Sequence, residues 1–153
     1  MADLFLQQVL DELKNRASEI PTCRLWPKIN KPVSWGGLPE NWCQKADIWI
    51  DSNFCRIIVE IDEKGAWPDH SIVKYWPYLV EHPNEKLFLI EVWKRSDAVG
   101  QGYFELAKFI GNQFHIAFSS FEYIPIALSA GSSLQAKEIA GILLSEIKKL
   151  TST

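Results

Sequence analysis

The sequence predicts a single α/β domain, residues 1–153, in which a mixed β-sheet is covered by helices on both faces. First, helical and strand patterns alternate along the chain after an initial hairpin. Second, 153 residues fit one domain with a sizeable core. Third, hydrophobic residues make up 47% and charged residues 23% of the chain, as in globular proteins. No repeat, linker or low-complexity tract divides it.

The first third of the chain is predicted to hold one helix and a long loop. Residues Asp3–Glu19 carry apolar side chains at steps of three and four residues, which indicates an amphipathic helix, and Pro21 ends it. The stretch Thr22–Gln44 is rich in proline and is therefore predicted as loop. One short strand is expected within it, around Cys23–Trp26 or Pro32–Trp35.

A hairpin and an interrupted helix are predicted next. The segments Ala46–Ile50 and Arg56–Ile61 are rich in β-branched residues and are joined by a short turn, which predicts an antiparallel hairpin. A helix is then expected to begin with Asp69 as its N-cap. Because proline lacks a backbone N–H, Pro77 is expected to kink or interrupt this helix.

The second half of the chain is predicted to alternate between strands and helices. Lys86–Trp93 is almost wholly apolar, which is typical of a buried strand. Apolar periodicity predicts helices at Gln101–Phe114 and Leu134–Leu150. Two short strands, His115–Phe118 and Tyr123–Leu128, are expected between those helices.

Composition limits the classes of function. The net charge of -3 and the pI near 5.6 mean that any nucleic-acid binding must be local or assisted by a metal. The longest unbroken run of aliphatic and aromatic residues, Leu87–Ile90, is too short to span a membrane. The start of the chain lacks the pattern of a signal peptide, so a cytoplasmic location is predicted. The dispersed cysteines and histidines argue against a disulfide framework or a zinc site.

Acidic residues are concentrated at one end of the predicted hairpin. Side chains alternate between the faces of a strand, so Glu60 and Asp62 point the same way. A tight turn between the two strands pairs Asp51 with Arg56, and counting back along both strands sets Asp47 opposite Glu60. Opposed residues have Cβ atoms about 4.5–5.5 Å apart. The pattern therefore predicts three neighbouring carboxylates on one face.

A divalent cation would account for this arrangement, because like charges placed opposite one another destabilise a sheet. Carboxylate oxygens suit Mg²⁺ or Mn²⁺, which keep waters for substrate phosphates, and such a metal activates water for attack on a phosphodiester. Lys64, just beyond the strand, and Lys74, on the following helix, are candidates for a positive charge near the attacking water. A solvated strand end beside a turn is the open alternative.

The order of a strand Asp, a hairpin turn and an apolar strand that ends in Glu-x-(Lys or acid) resembles the PD-(D/E)XK nuclease superfamily. The motif's Asp falls on Asp47, its Glu on Glu60 and its third position on Asp62, where most members have Lys. Some families place a migrated lysine on the following helix, which makes Lys74 a candidate substitute. The resemblance implies a restriction-endonuclease-like core of helix, three-stranded antiparallel meander, helix and strand, with additional C-terminal helices.

The resemblance further implies a metal-dependent nuclease that cleaves nucleic acid, DNA in preference to RNA, with Mg²⁺ or Mn²⁺ as its cofactor. The implied catalytic residues are Asp47, Glu60, Asp62, Lys64 and Lys74. The implied metal ligands are Asp47, Glu60, Asp62 and the backbone carbonyl of Ile61. An acid from the first helix often completes such a site, so Glu12 or Glu19 is a candidate, with an exposed helix charge as the alternative. By analogy with enzymes that cut two strands, a homodimer is expected.

Two other hypotheses stay open. A catalytically degenerate protein of the same fold would act as a binding, regulatory or scaffold subunit, with Trp35, Trp42 or Trp67 as partner anchors. Alternatively, the loop Trp26–Trp42 is a stacking platform for single-stranded nucleic acid, unless its aromatic residues pack beneath the loop. Most of the seven tryptophans are expected in the core, because each can bury a large area.

Overall fold

A computed structural model describes residues 2–20, 24–62, 71–93, 98–128 and 135–151. In these ranges the chain forms four α-helices, namely α1 (Ala2–Asn15), α2 (Trp76–Glu81), α3 (Ala98–Ala117) and α4 (Ala136–Thr151). It forms five strands, namely β1 (Leu25–Pro32), β2 (Lys45–Ser52), β3 (Arg56–Asp62), β4 (Leu87–Trp93) and β5 (Phe121–Ala127). The predicted mixed α/β architecture is confirmed.

The strands form one sheet in the order β1-β2-β3-β4-β5. The first three strands are an antiparallel meander, whereas β3, β4 and β5 run parallel to one another. Asp51 pairs with Arg56 across β2 and β3, so the predicted hairpin register is confirmed. Because β3 and β4 are parallel, their carboxyl ends lie at the same edge of the sheet, and Glu60 is aligned with Glu91.

The core consists of two apolar layers, one on each face of the sheet. Alternate residues of β2 and β3 point into opposite layers, Ile48 and Ile57 into one, Trp49 and Ile58 into the other. Apolar residues of α1 and α4 complete the first layer, and those of residues 71–81 and α3 complete the second. This alternation follows from the two-residue period of a strand, and it confirms that helices cover both faces.

The position of β1 differs from both predicted alternatives. The strand is Leu25–Pro32, which overlaps the expected Cys23–Trp26 at Leu25 and Trp26 and the expected Pro32–Trp35 at Pro32, and also fills the interval between them. Pro27 and Pro32 had indicated a loop, but in the described part of the chain β1 pairs only with β2. A strand at the edge of a sheet tolerates proline, because its outer N–H groups have no partner strand to bond.

Two helices also differ from the predicted boundaries. The first helix ends at Asn15, and the 3₁₀-helix Ala17–Glu19 follows it. The predicted strand His115–Phe118 is wrong, because α3 continues to Ala117 and the Phe118 N–H donates to the Phe114 carbonyl at 2.8 Å. Phe114 packs in the core, so tertiary packing extends the helix through a segment whose residues favour strand.

The predicted interruption at Pro77 is confirmed. The 3₁₀-helix Val73–Tyr75 precedes α2, and Pro77 lies in the first turn of α2, where the missing N–H breaks no helical hydrogen bond. The expected N-cap, Asp69, lies outside the described residues. In the described ranges no helix combines the length and apolarity needed to cross a bilayer.

Candidate functional site

A polar cavity of about 260 Å³ lies near the carboxyl ends of β3 and β4 and is lined by Gln44, Asp47, Glu60, Ile61, Asp62, Ser71, Lys74 and Glu91. The cavity therefore brings together the three predicted carboxylates and one of the two predicted lysines. Its walls come from Gln44, from β2, β3 and β4, and from the segment 71–81, which covers this face of the sheet.

Asp47 lies just beyond the last residue pair of the β2–β3 ladder, Ile48 with Val59. Its Oδ2 accepts the backbone N–H of Ile61 at 2.8 Å. The carboxylate thus takes the place of a backbone acceptor where the ladder ends. This contact holds Asp47 beside Glu60, as the predicted register requires.

Glu60 is buried, with 6% of its surface exposed. Its Oε1 accepts the Lys74 Nζ at 2.6 Å and also the hydroxyl of Tyr75. Lys74 donates in addition to the backbone carbonyl of Lys45 at 2.7 Å. Burial raises the pKa of Glu60 to about 8 although the Lys74 ammonium lowers it, and Asp47 raises it further. The Lys74 ammonium and the Glu60 carboxylate therefore interact where little water reaches them.

Glu91 is a buried carboxylate that the sequence reasoning missed. It is fully buried, and it accepts the hydroxyls of Ser71 and Tyr123 at 2.7 Å each, on Oε1 and Oε2 respectively. Burial raises its pKa to about 7, against the effect of both hydroxyls. One signal was available, because Glu91 is the single charged residue of the apolar strand Leu87–Trp93.

Three hydroxyl groups of the segment 71–81 donate hydrogen bonds to carboxylates outside the segment. Ser71, Tyr75 and Tyr78 lie at positions i, i+4 and i+7, on one face of the segment. Each hydroxyl donates to a carboxylate, in order Glu91, Glu60 and Glu85. Polar contacts therefore fix how this segment lies on the sheet, in addition to apolar packing.

The remaining predicted site residues lie elsewhere. Glu12 belongs to α1, which packs on the opposite face of the sheet, and Glu19 pairs with Arg16 at 2.9 Å. The structure does not bring these two acids to the cavity. Lys64 lies outside the described residues. Ile61 lines the cavity, as its expected role requires.

The donor chemistry of the cavity suits a hard cation, because its walls carry carboxylate oxygens. Among the described residues, no three His, Cys, Asp or Glu side chains are grouped so as to hold one ion. Mg²⁺ usually takes one or two carboxylates and completes its shell with water and substrate phosphates. The residues present fit a cation bound in that way, by one or two of the candidate ligands Asp47, Glu60 and Asp62.

Comparisons with known proteins do not assign a family. No protein-family model matches the sequence, and no curated protein matches it. The chain is similar to the crystal structure of a protein of unknown function, AF1548, with a TM-score of 0.40 and 10% identity. The match covers 80% of this chain and 58% of that one, so this chain spans less than two thirds of that protein's length. A likeness of this size identifies neither a fold family nor a function.

Most of the described tryptophans are at the surface, which corrects the expectation that they fill the core. Trp49 and Trp93 are buried, but Trp26, Trp35, Trp42 and Trp76 are 39–70% exposed. Trp67 lies outside the described residues. Trp35 and Trp42 are thus accessible to a partner or to nucleic-acid bases, and both of those roles stay predictions.

We expect the free energy of unfolding to fall as the pH rises through the pKa of Glu91. This pKa is raised from 4.5 to about 7 in the fold, so the folded state holds the proton more tightly than the unfolded chain does. The stabilisation that protonated Glu91 contributes is fully present below about pH 4.5. It is lost between that pH and about pH 7, at up to about 1.4 kcal/mol per pH unit. Urea unfolding at pH 5, 6, 7 and 8 measures it.

The matched variant for this measurement is Glu91→Gln, which cannot titrate at that position. Its stability should depend less steeply on pH than that of the wild type over the same range. Equal slopes for the two proteins would show that Glu91 keeps an ordinary pKa.

Proposed function

We propose that this protein is a metal-dependent nuclease that hydrolyses phosphodiester bonds in nucleic acid, with DNA as the expected substrate. The observation that supports it best is the cavity in which Asp47, Glu60 and Asp62 lie with Lys74. The same proposal includes a restriction-endonuclease-like core, made of α1, the meander β1–β3, the segment 71–81 and β4. It also includes Mg²⁺ or Mn²⁺ as the cofactor, a cytoplasmic location and a homodimeric state.

In this proposal the carboxylates hold the cation and the lysine orients the attack. Asp47, Glu60 and Asp62 are the candidates that would supply one or two hard oxygen ligands, and the Ile61 carbonyl is a further candidate. When bound, the cation stabilises the charge that develops on the phosphate and makes water a better nucleophile. Lys74, held beside Glu60 at 2.6 Å, places a positive charge next to the attacking water.

Burial strengthens these interactions. The side chains of Lys74 and Glu60 are only 10% and 8% exposed, and charges interact more strongly where water is excluded. The same burial favours the protonated form of Glu60. Since a metal binds the carboxylate form, cation binding and proton binding at Glu60 compete.

Calorimetric titration with Mn²⁺ tests this proposal. The wild-type protein should bind Mn²⁺, and Asp47→Asn should weaken binding by at least about tenfold, because removing a ligand charge weakens a hard-cation site. Asp51→Asn is the matched control: Asp51 lies on the same strand but contacts Arg56 at 3.0 Å and does not line the cavity. An absence of Mn²⁺ binding by the wild-type protein at millimolar concentrations would overturn the proposal.

A binding or scaffold protein of the same fold is the second candidate. The observation that favours it is the Lys74–Glu60 ion pair, which compensates the charge of one carboxylate without a metal ion. Exposed Trp35 and Trp42 would then serve as partner anchors, since aromatic side chains dominate many interfaces. Folded protein that binds no Mn²⁺ and cuts neither DNA nor RNA favours this candidate.

A further inference from the structure

We propose that Glu91 is a positioning residue, which acts through Ser71 to hold Lys74 against Glu60. The effect of Glu91 on catalysis rests on the proposed nuclease function, but the position of Lys74 can be measured without an activity assay. Glu91 lies on β4, outside the acidic hairpin, and it contacts the segment 71–81 at the first residue that the structure describes there.

The spacing of the contacts links Glu91 to Lys74. Ser71 precedes Lys74 by three residues and Tyr75 by four, so all three lie on one side of the segment. One turn of a 3₁₀-helix such as Val73–Tyr75 rises about 6 Å, comparable with the spacing of about 4.8 Å between neighbouring strands. Ser71 therefore bonds Glu91 on β4 while Lys74 and Tyr75, one turn later, contact Glu60 on β3.

Burial of Glu91 costs free energy that its hydrogen bonds must offset. A fully buried carboxylate is expensive unless its oxygens are hydrogen-bonded, and at this position an apolar side chain would match the rest of β4. Both oxygens of Glu91 accept a hydroxyl, one from Ser71 and one from Tyr123. Tyr123, on β5, orients the carboxylate from one side, and the other side is left to bond the segment that carries Lys74.

The position of Lys74 depends on the segment that carries it. Its long side chain has many rotamers, so the contacts of the ammonium with Glu60 and with the Lys45 carbonyl depend on where the backbone of the segment lies. Tyr75, the next residue, bonds Glu60 itself, whereas the Tyr78 hydroxyl lies one turn further along the segment and contacts Glu85 and Arg56, outside the cavity. The Ser71–Glu91 hydrogen bond therefore fixes the part of the segment that precedes Lys74, whereas the contacts of Tyr78 fix the part that follows it.

The test measures how readily Lys74 reacts with an amine-acylating reagent, followed by peptide mass spectrometry. Lys149, whose side chain is 68% exposed, serves as the internal reference. In the wild-type protein Lys74 should react far more slowly than Lys149. Ser71→Ala and Glu91→Gln should each raise the relative rate for Lys74 about tenfold, the effect expected for losing one charge-assisted hydrogen bond.

Two further variants separate positioning from general stability. Tyr78→Phe removes a hydroxyl from the same segment outside the cavity and should leave the Lys74 rate unchanged. Ser71→Thr keeps the hydroxyl and should restore the wild-type rate. Unchanged labelling in folded Ser71→Ala, or an equal increase in Tyr78→Phe, would overturn the inference.

Cleavage assays with Mn²⁺ then connect the inference to the proposed function. Ser71→Ala and Glu91→Gln should lower kcat about tenfold with little change in KM, because misplacing a catalytic group costs rate more than binding. If labelling of Lys74 increases as expected but the wild-type protein cuts no nucleic acid, the nuclease proposal fails and the positioning role of Glu91 stands.

Discussion

Glu60→Gln is expected to lower Mn²⁺-dependent cleavage by about a hundredfold to a thousandfold, the loss typical of removing a central electrostatic group from an active site. Glu60 is the carboxylate on which the contacts of Lys74 and Tyr75 converge. Glutamine keeps the size of the side chain and a carbonyl acceptor for Tyr75, but it carries no charge for a cation or for Lys74. Rates of cleavage of DNA and RNA, with and without Mn²⁺, give the measurement.

Glu105→Gln is the control for this experiment. Glu105 is exposed on α3 and pairs with Lys108 at 2.9 Å, so the same chemical change there should leave cleavage unaffected. Circular dichroism establishes that the Glu60→Gln protein is folded. Wild-type cleavage rates in folded Glu60→Gln protein would exclude the assigned site.

Gly111→Ala is expected to destabilise the fold strongly. A Cβ at Gly111 would lie 2.3 Å from Cδ1 and 2.6 Å from Cβ of Tyr123. The Cβ of Tyr123 is fixed to the backbone of β5, so no rotamer change relieves the clash and α3 must move away from the sheet. We expect the free energy of unfolding to fall by about 2–3 kcal/mol, a large value for overpacking.

Gly102→Ala is the matched substitution on the same helix. A Cβ at Gly102 meets no atom within 4 Å, so alanine there should stabilise α3 by up to about 1 kcal/mol through its higher helix propensity. Urea unfolding of both variants measures the difference. Equal effects of the two substitutions would show that α3 does not pack closely on Tyr123.

The hairpin and its carboxylates could be predicted because their determinants are local. A short turn sets the pairing of Asp51 with Arg56, and the two-residue period of a strand then places Asp47, Glu60 and the residues between them. Lys74 could be predicted for a different reason, namely its position on the helix that follows the motif. Each of these predictions used residues close together in the sequence.

Contacts between distant segments were not predictable in the same way. The alignment of Glu91 with Glu60 depends on the parallel register of β3 and β4, which no short turn encodes. The bond between Tyr123 and Glu91 depends in addition on the position of β5. The prolines of β1 indicated a loop because a strand tolerates proline only at the edge of a sheet. Whether a strand lies at the edge depends on the whole sheet and cannot be read from the local sequence.

The prolines of β1 have a consequence for self-association. An outer strand with free N–H and C=O groups can template a strand from another molecule, which leads to aggregation. Pro27 and Pro32 remove two of the donors from β1, and exposed Lys28 between them adds a charge that repels an identical strand. A second molecule therefore gains little by extending the sheet at β1, and any stable pairing of copies should use other surfaces.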